Sequence, residues 1–121
     1  MRTAILITLL LAGGLAGRAA AAGDMHYLDL VNTAPSSLTA FAVAAAGSDD
    51  WRAVELGDAP LRGGGDSTTV AIRGDCVRDL RSTFRDGRVL IQRNFDVCRY
   101  RSYHTGQYLR RAPANARLGH D

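Results

Sequence analysis

The residues of this chain whose chemistry could be functional are two cysteines, three histidines, a set of aspartates and an arginine-tyrosine segment. Cys76 and Cys98 have the most readable spacing. Arg85-Asp86-Gly87-Arg88 reads as a tight hairpin turn, because Asp-Gly tolerates the positive φ angles of a type I′ turn. With Asp86 and Gly87 as the two turn residues, Phe84 faces Val89, Ser82 faces Ile91, and Cys76 falls one position short of facing Cys98. A single β-bulge, for which Asn94 is the candidate, closes that gap and brings the two sulfurs within bonding reach. A Cys76–Cys98 disulfide is therefore expected, and with it an oxidising compartment.

Other chemistry finds less support in the spacing. Nucleophilic catalysis needs a base beside a nucleophile, and the serines at 36, 37, 48, 67, 82 and 102 sit in no nucleophile-elbow context. His26, His104 and His120 adjoin no acidic residue within a strand, where a triad would want rigid support. The chain reads as a non-enzyme. The cysteines and histidines show no zinc spacing. Asp49, Asp50, Asp58 and Asp66 lie in loops without an EF-hand pattern, where turn formation is the commoner role of aspartate. No metal and no cofactor is expected. Trp51, the sole tryptophan, is either a core residue or, if exposed, an aromatic anchor for carbohydrate or peptide.

The remaining candidates are Arg99, Tyr100, Arg101, Tyr103, Arg110 and Arg111. Arginine forks suit phosphate and carboxylate, and tyrosine adds stacking. All 15 basic residues are arginine. From Gly23 to Ile72 there are two arginines against seven acids, and from Arg73 to Asp121 there are 11 arginines against five acids. The first half carries −5 and the second +6 by that count. Such asymmetry marks either an anionic partner or two complementary strand sets meeting in one sheet. Outside the cytoplasm the available anions are envelope components and acidic proteins, and nucleic acid is disfavoured.

These side chains must be positioned by a small exported domain. Arg2, the apolar run Ala4 to Leu11 and Ala19-Ala20-Ala21-Ala22 have the organisation of a secretory signal peptide over residues 1–22. The apolar run is short for a membrane span, so none is expected after cleavage, and the product is periplasmic or secreted. Residues 23–109 form one domain by length, and 110–121 read as a basic flexible tail.

Within the domain strand signals dominate. His26 to Asn32 alternates and ends at Thr33-Ala34-Pro35-Ser36-Ser37. Leu38 to Ala45 follows, with Leu38, Ala40, Ala42 and Ala44 on one side and Phe41 and Val43 on the other. Arg52 to Leu56 reads as irregular or a short helical turn. Thr68 to Arg73 and Cys76 to Phe84 are the clearest strands, and Val89 and Ile91 continue the inward face across the hairpin. Arg99 to Leu109 adds a last edge strand. Five or six short strands with Gly, Asp and Pro turns predict an all-β fold, a small antiparallel β-sandwich, immunoglobulin-like or similar.

Asn32 ahead of its Ser/Thr-containing turn, Asp50-Trp51, the Leu61-to-Gly65 turn, Gly74-Asp75-Cys76-Val77-Arg78-Asp79-Leu80-Arg81, Phe84-x-Asp86-Gly87 and Cys98 together carry a resemblance. Over roughly residues 27–98 the chain resembles a widespread group of small exported bacterial proteins known chiefly as uncharacterised β-sandwich domains. The resemblance implies export and fold, and it transfers no catalytic residue. The expected function is a structural or interaction module of unknown partner. The alternative is a binder of an anionic envelope ligand, or an inhibitor of an envelope enzyme, working through the Arg/Tyr segment.

Overall fold

In the computed structural model, residues 24–112 are described. The expected signal peptide over 1–22 and residues 113–121 of the expected tail lie outside the described residues. Seven strands and one helix follow in order: β1 Met25–Asn32, β2 Leu38–Ala45, β3 Arg52–Val54, β4 Asp66–Arg73, β5 Val77–Phe84, β6 Val89–Asp96, β7 Ser102–His104 and α1 Thr105–Arg111. They form two packed sheets, one of order β4-β1-β7 and the other of order β3-β2-β5-β6. The fold is the β-sandwich the strand pattern predicts. All pairings are antiparallel except β1 with β7, which run parallel.

Alternation places the core. On β1, Leu28 and Leu30 point inward, and on β4 Val70 and Ile72 do the same. From the other sheet come Leu38, Phe41, Val43, Leu80, Phe84, Leu90 and Phe95. Burying such a set against one another is the main stabilising contribution, at roughly 1.5–3 kcal/mol per large side chain before the chain-entropy cost. Asn32 closes the corner after β1. Its fully buried amide donates to the carbonyls of Leu61 at 2.8 Å and Ser36 at 2.9 Å. Its oxygen accepts from Thr105 Oγ1 at 2.8 Å and Ala34 N at 3.2 Å.

Four local expectations are corrected. Residues Arg52–Val54 are a short strand, drawn out of the expected irregular segment by pairing with Phe41–Val43. On β2 a bulge between Leu38 and Ala40 changes the alternation, so Leu38 joins Phe41 and Val43 in the core and Ala40 is exposed. The β5–β6 register differs by one. Phe84 N–H donates to Arg88 O and Gly87 N–H to Phe84 O, both at 3.0 Å, so the loop has three residues, 85–87. Ser82 therefore faces Leu90 and Arg81 faces Ile91. Leu90 is buried and Ile91 is 39% exposed, because a slip of one residue exchanges the two faces of a strand. The last correction concerns the segment after Cys98. Only Ser102–His104 is strand, and α1 follows, burying Thr105, Gly106 and Leu109. Gly106 lets the helix approach Thr33 closely, since a Cβ there would lie 2.7 Å from Thr33 O.

Candidate functional site

The Cys76–Cys98 disulfide is present, with the two Cα atoms 5.2 Å apart. Asn94, at φ 57°, sits in the bulge opposite the step from Arg78 to Leu80. Beyond it Val77 faces Asp96 and Val97 N–H donates to Cys76 O at 2.8 Å, so the bulge only makes up the step lost at the longer loop. Cys76 lies level with Val97, not opposite Cys98 as expected, and the disulfide reaches one position further along. His26 of β1 reaches this point from the other sheet. Its Nε2 lies 2.8 Å from Gly74 O and its Nδ1 lies 3.5 Å from Cys98 Sγ. Spacing alone hid this neighbourhood, because the antiparallel register of β1 against β4 brings residues about 50 apart together.

Asp79 is fully buried at the bulge. It accepts from Arg93 at 2.7 Å, Gly47 N–H at 2.8 Å and Asn94 N–H at 2.9 Å. Burial pushes its pKa up, but the two backbone donors and the guanidinium outweigh that and hold the carboxyl below its ordinary range. Arg93 also pairs with Asp49 at 2.8 Å. Trp51 is half-buried beside this network, with Arg81 4.9 Å and Arg93 5.7 Å from its ring. The indole, read from sequence as core or anchor, thus stacks with two guanidiniums through cation–π contacts.

The Arg/Tyr segment divides. Tyr103 is fully buried, stacked on Tyr108 at 4.7 Å and edge-on to Phe95 at 5.2 Å. It belongs to the core and is not available to a partner. Tyr100 packs on Phe95 at 5.6 Å while staying 47% exposed, with Arg99 5.4 Å from its ring. The four arginines are exposed but not contiguous. Arg101 lines a cavity of about 210 Å³ with Met25, His26 and Tyr27, at the start of β1. Arg110 lines another of about 320 Å³ with Thr33, Pro35 and Arg88, past the end of β1. At about 3.3 Å per strand residue these two places are roughly 23 Å apart.

A third cavity, also about 320 Å³, runs between β2 and the 55–60 loop, where Phe41, Val54 and Leu56 meet Glu55 and Asp58. Its charge is of the wrong sign for an anion. Of the loop aspartates, Asp49 pairs with Arg93, Asp50 with Arg52 and Asp66 with Arg62, while Asp58 borders this cavity. Among the described residues there are five ion pairs, and only Arg93–Asp49 links the acidic half of the chain to the basic half. The charge asymmetry is thus not consumed by pairing across the sheets. No protein-family model, no curated protein and no solved structure matches this chain.

Proposed function

We propose that this protein is an exported, non-enzymatic interaction module whose partner is an anionic component of the cell envelope. The observation that carries the reading is the convergence of Arg88 and Arg110 on one cavity whose wall also offers Thr33. Guanidinium forks bind phosphate and carboxylate through paired charge-assisted hydrogen bonds, which fits that wall. Arg88 is shared with Asp86 at 2.9 Å, whereas Arg110 and Arg111 have no carboxylate partner among the described residues. Their charge is free to meet an outside anion. Arg101 supplies a second contact at the other end of β1, so a matching partner is an extended anionic surface or polymer and not a small molecule. Export is supported by the disulfide together with the signal-like N-terminus.

The test is charge reversal. Removing the segment from Tyr100 onward would take Tyr103 and Leu109 out of the core and report on folding instead. Arg110→Glu combined with Arg111→Glu leaves every buried residue in place. Binding to phosphatidylglycerol vesicles or lipopolysaccharide should weaken roughly tenfold or more, and binding by the unaltered protein should fall steeply with salt. Binding that ignores both the charge reversal and the salt would overturn the proposal.

A further inference from the structure

The neighbourhood of His26 supports a second, chemically different site. Sγ of Cys76, Sγ of Cys98 and a ring nitrogen of His26 all lie within 4.8 Å of one another. From this geometry we infer that the reduced form of the protein binds a zinc ion through Cys76, Cys98 and His26, so that the disulfide acts as a redox gate on a metal site.

Three features of the site support this. A carbonyl oxygen can only accept, so the 2.8 Å contact of His26 Nε2 with Gly74 O places the ring proton on Nε2. The lone pair is then on Nδ1, which lies 3.5 Å from Cys98 Sγ, with Nε2 slightly farther from the sulfur at 3.7 Å. Histidines that bind metals are commonly held in this way, with the far nitrogen donating to a carbonyl or carboxylate that fixes tautomer and ring orientation. The second feature is distance. With Zn–S of about 2.3 Å and Zn–N of about 2.0–2.1 Å, tetrahedral angles put the sulfur and nitrogen about 3.6 Å apart. The observed Nδ1–Sγ separation is 3.5 Å, so that edge of the tetrahedron already exists. The third is access. Cys98 and His26 both border the cavity of about 210 Å³, which leaves room for water at the fourth position.

The chemistry balances with a dithiol as reductant. Its two thiols donate two electrons and two protons to the protein disulfide, giving two protein thiols and an oxidised dithiol. Zinc then displaces both thiol protons as it binds the two thiolates and His26 Nδ1. While the disulfide is intact the sulfurs have no thiolate charge to offer, and the site is closed to the metal. The chain spacing explains why the site is invisible in the sequence: two ligands flank one hairpin and the third comes from the opposite sheet.

The experiment compares oxidised protein with protein reduced by a phosphine, titrating each with zinc against a chromophoric chelator and with cobalt for thiolate-to-metal absorption. The reduced form should take up one equivalent of zinc and develop the cobalt–thiolate bands, while the oxidised form takes up none. His26→Ala should weaken zinc binding roughly tenfold or more, and Cys76→Ser with Cys98→Ser should abolish it. Zinc should also raise the Tm of the reduced protein and leave that of the oxidised protein unchanged. Equal uptake by both forms, or undiminished affinity in His26→Ala, overturns the inference. A reduced chain that is unfolded and that zinc fails to refold overturns it equally.

Discussion

With Gly47 and Asn94 donating backbone N–H groups to Asp79 and Arg93 its guanidinium, two separate stretches of chain converge on one buried carboxylate. Removing that carboxylate strands donors that have been taken out of water, which costs more than the hydrogen bonds themselves contribute. Asp79→Ala should therefore destabilise the fold by about 2–4 kcal/mol in denaturant unfolding at neutral pH. The pH dependence has a definite sign. The folded pKa lies below the ordinary value of 3.8, so the unfolded chain binds the proton more readily. The stabilisation is fully present above about pH 4–5 and is lost as pH falls through the folded pKa. The difference between Asp79→Ala and the unaltered protein should narrow in acid, and a gap that stays constant down to pH 2 would refute the linkage. Tyr103 makes the opposite case. Its hydroxyl is buried without a partner, and burial pushes its pKa far above the usual tyrosine range. Tyr103→Phe keeps the ring contacts and removes the orphaned group, so its Tm should be equal or higher.

At the scale of elements, the β5–β6 hairpin separates what the sequence states from what it leaves open. Asp86-Gly87 marks the turn correctly, and Gly87 has the expected positive φ, 94°. A glycine at 87 serves equally a two-residue type I′ turn and a three-residue loop ending in a G1 bulge, so the turn residues cannot fix the register. A charge can. The two-residue turn with a bulge at Asn94 would send Arg93 inward with Val89 and Ile91. The three-residue loop sends Leu90 inward, turns Arg93 out to Asp79, and lets the bulge return Phe95 and Val97 to the core. That signal was available in the spacing of Leu90, Arg93 and Phe95. The helix α1 had no comparable signal: His104 gives it no side-chain cap, no acid stands in its first turn, and its seven residues are too few to show a helical period. Gly87→Val tests the turn. Nothing lies within 4 Å of where a Cβ would stand, so the cost is backbone strain alone, about 1–2 kcal/mol. It should lower Tm, and an unchanged Tm would show that the loop relaxes to a negative φ.

On the scale of the whole molecule, the sandwich class was legible because alternation on β1, β4 and β5 is strong. The assembly of sites was not, because it depends on which strands become neighbours. His26 meets the disulfide, Arg88 meets Arg110, and Asp79 meets Gly47 only through pairings that no local pattern encodes. The disulfide itself spans a sequence separation of 22, for which chain-entropy reasoning assigns roughly 3 kcal/mol of stabilisation. Replacing both cysteines with alanine should lower the unfolding free energy by about that amount, read from denaturant midpoints at unchanged m-value. Intact mass should rise by two hydrogens on reduction, and protein that already carries two free thiols would contradict the bond.

The parallel contact between the first and last strands has a mechanical consequence. Asp29, Leu30 and Val31 of β1 lie beside Ser102, Tyr103 and His104 of β7, running in the same direction. Pulling the described domain apart from its two ends drags β1 by its start and β7 by its finish, so the strands must slide lengthwise past each other. The hydrogen bonds between them then bear the load together instead of parting one at a time like a zipper. Once that clamp yields, the chain between Cys76 and Cys98 still cannot lengthen, because the covalent bond short-circuits it. Under tension the domain would thus resist first by shear and then by a fixed limit on how far it can be drawn out.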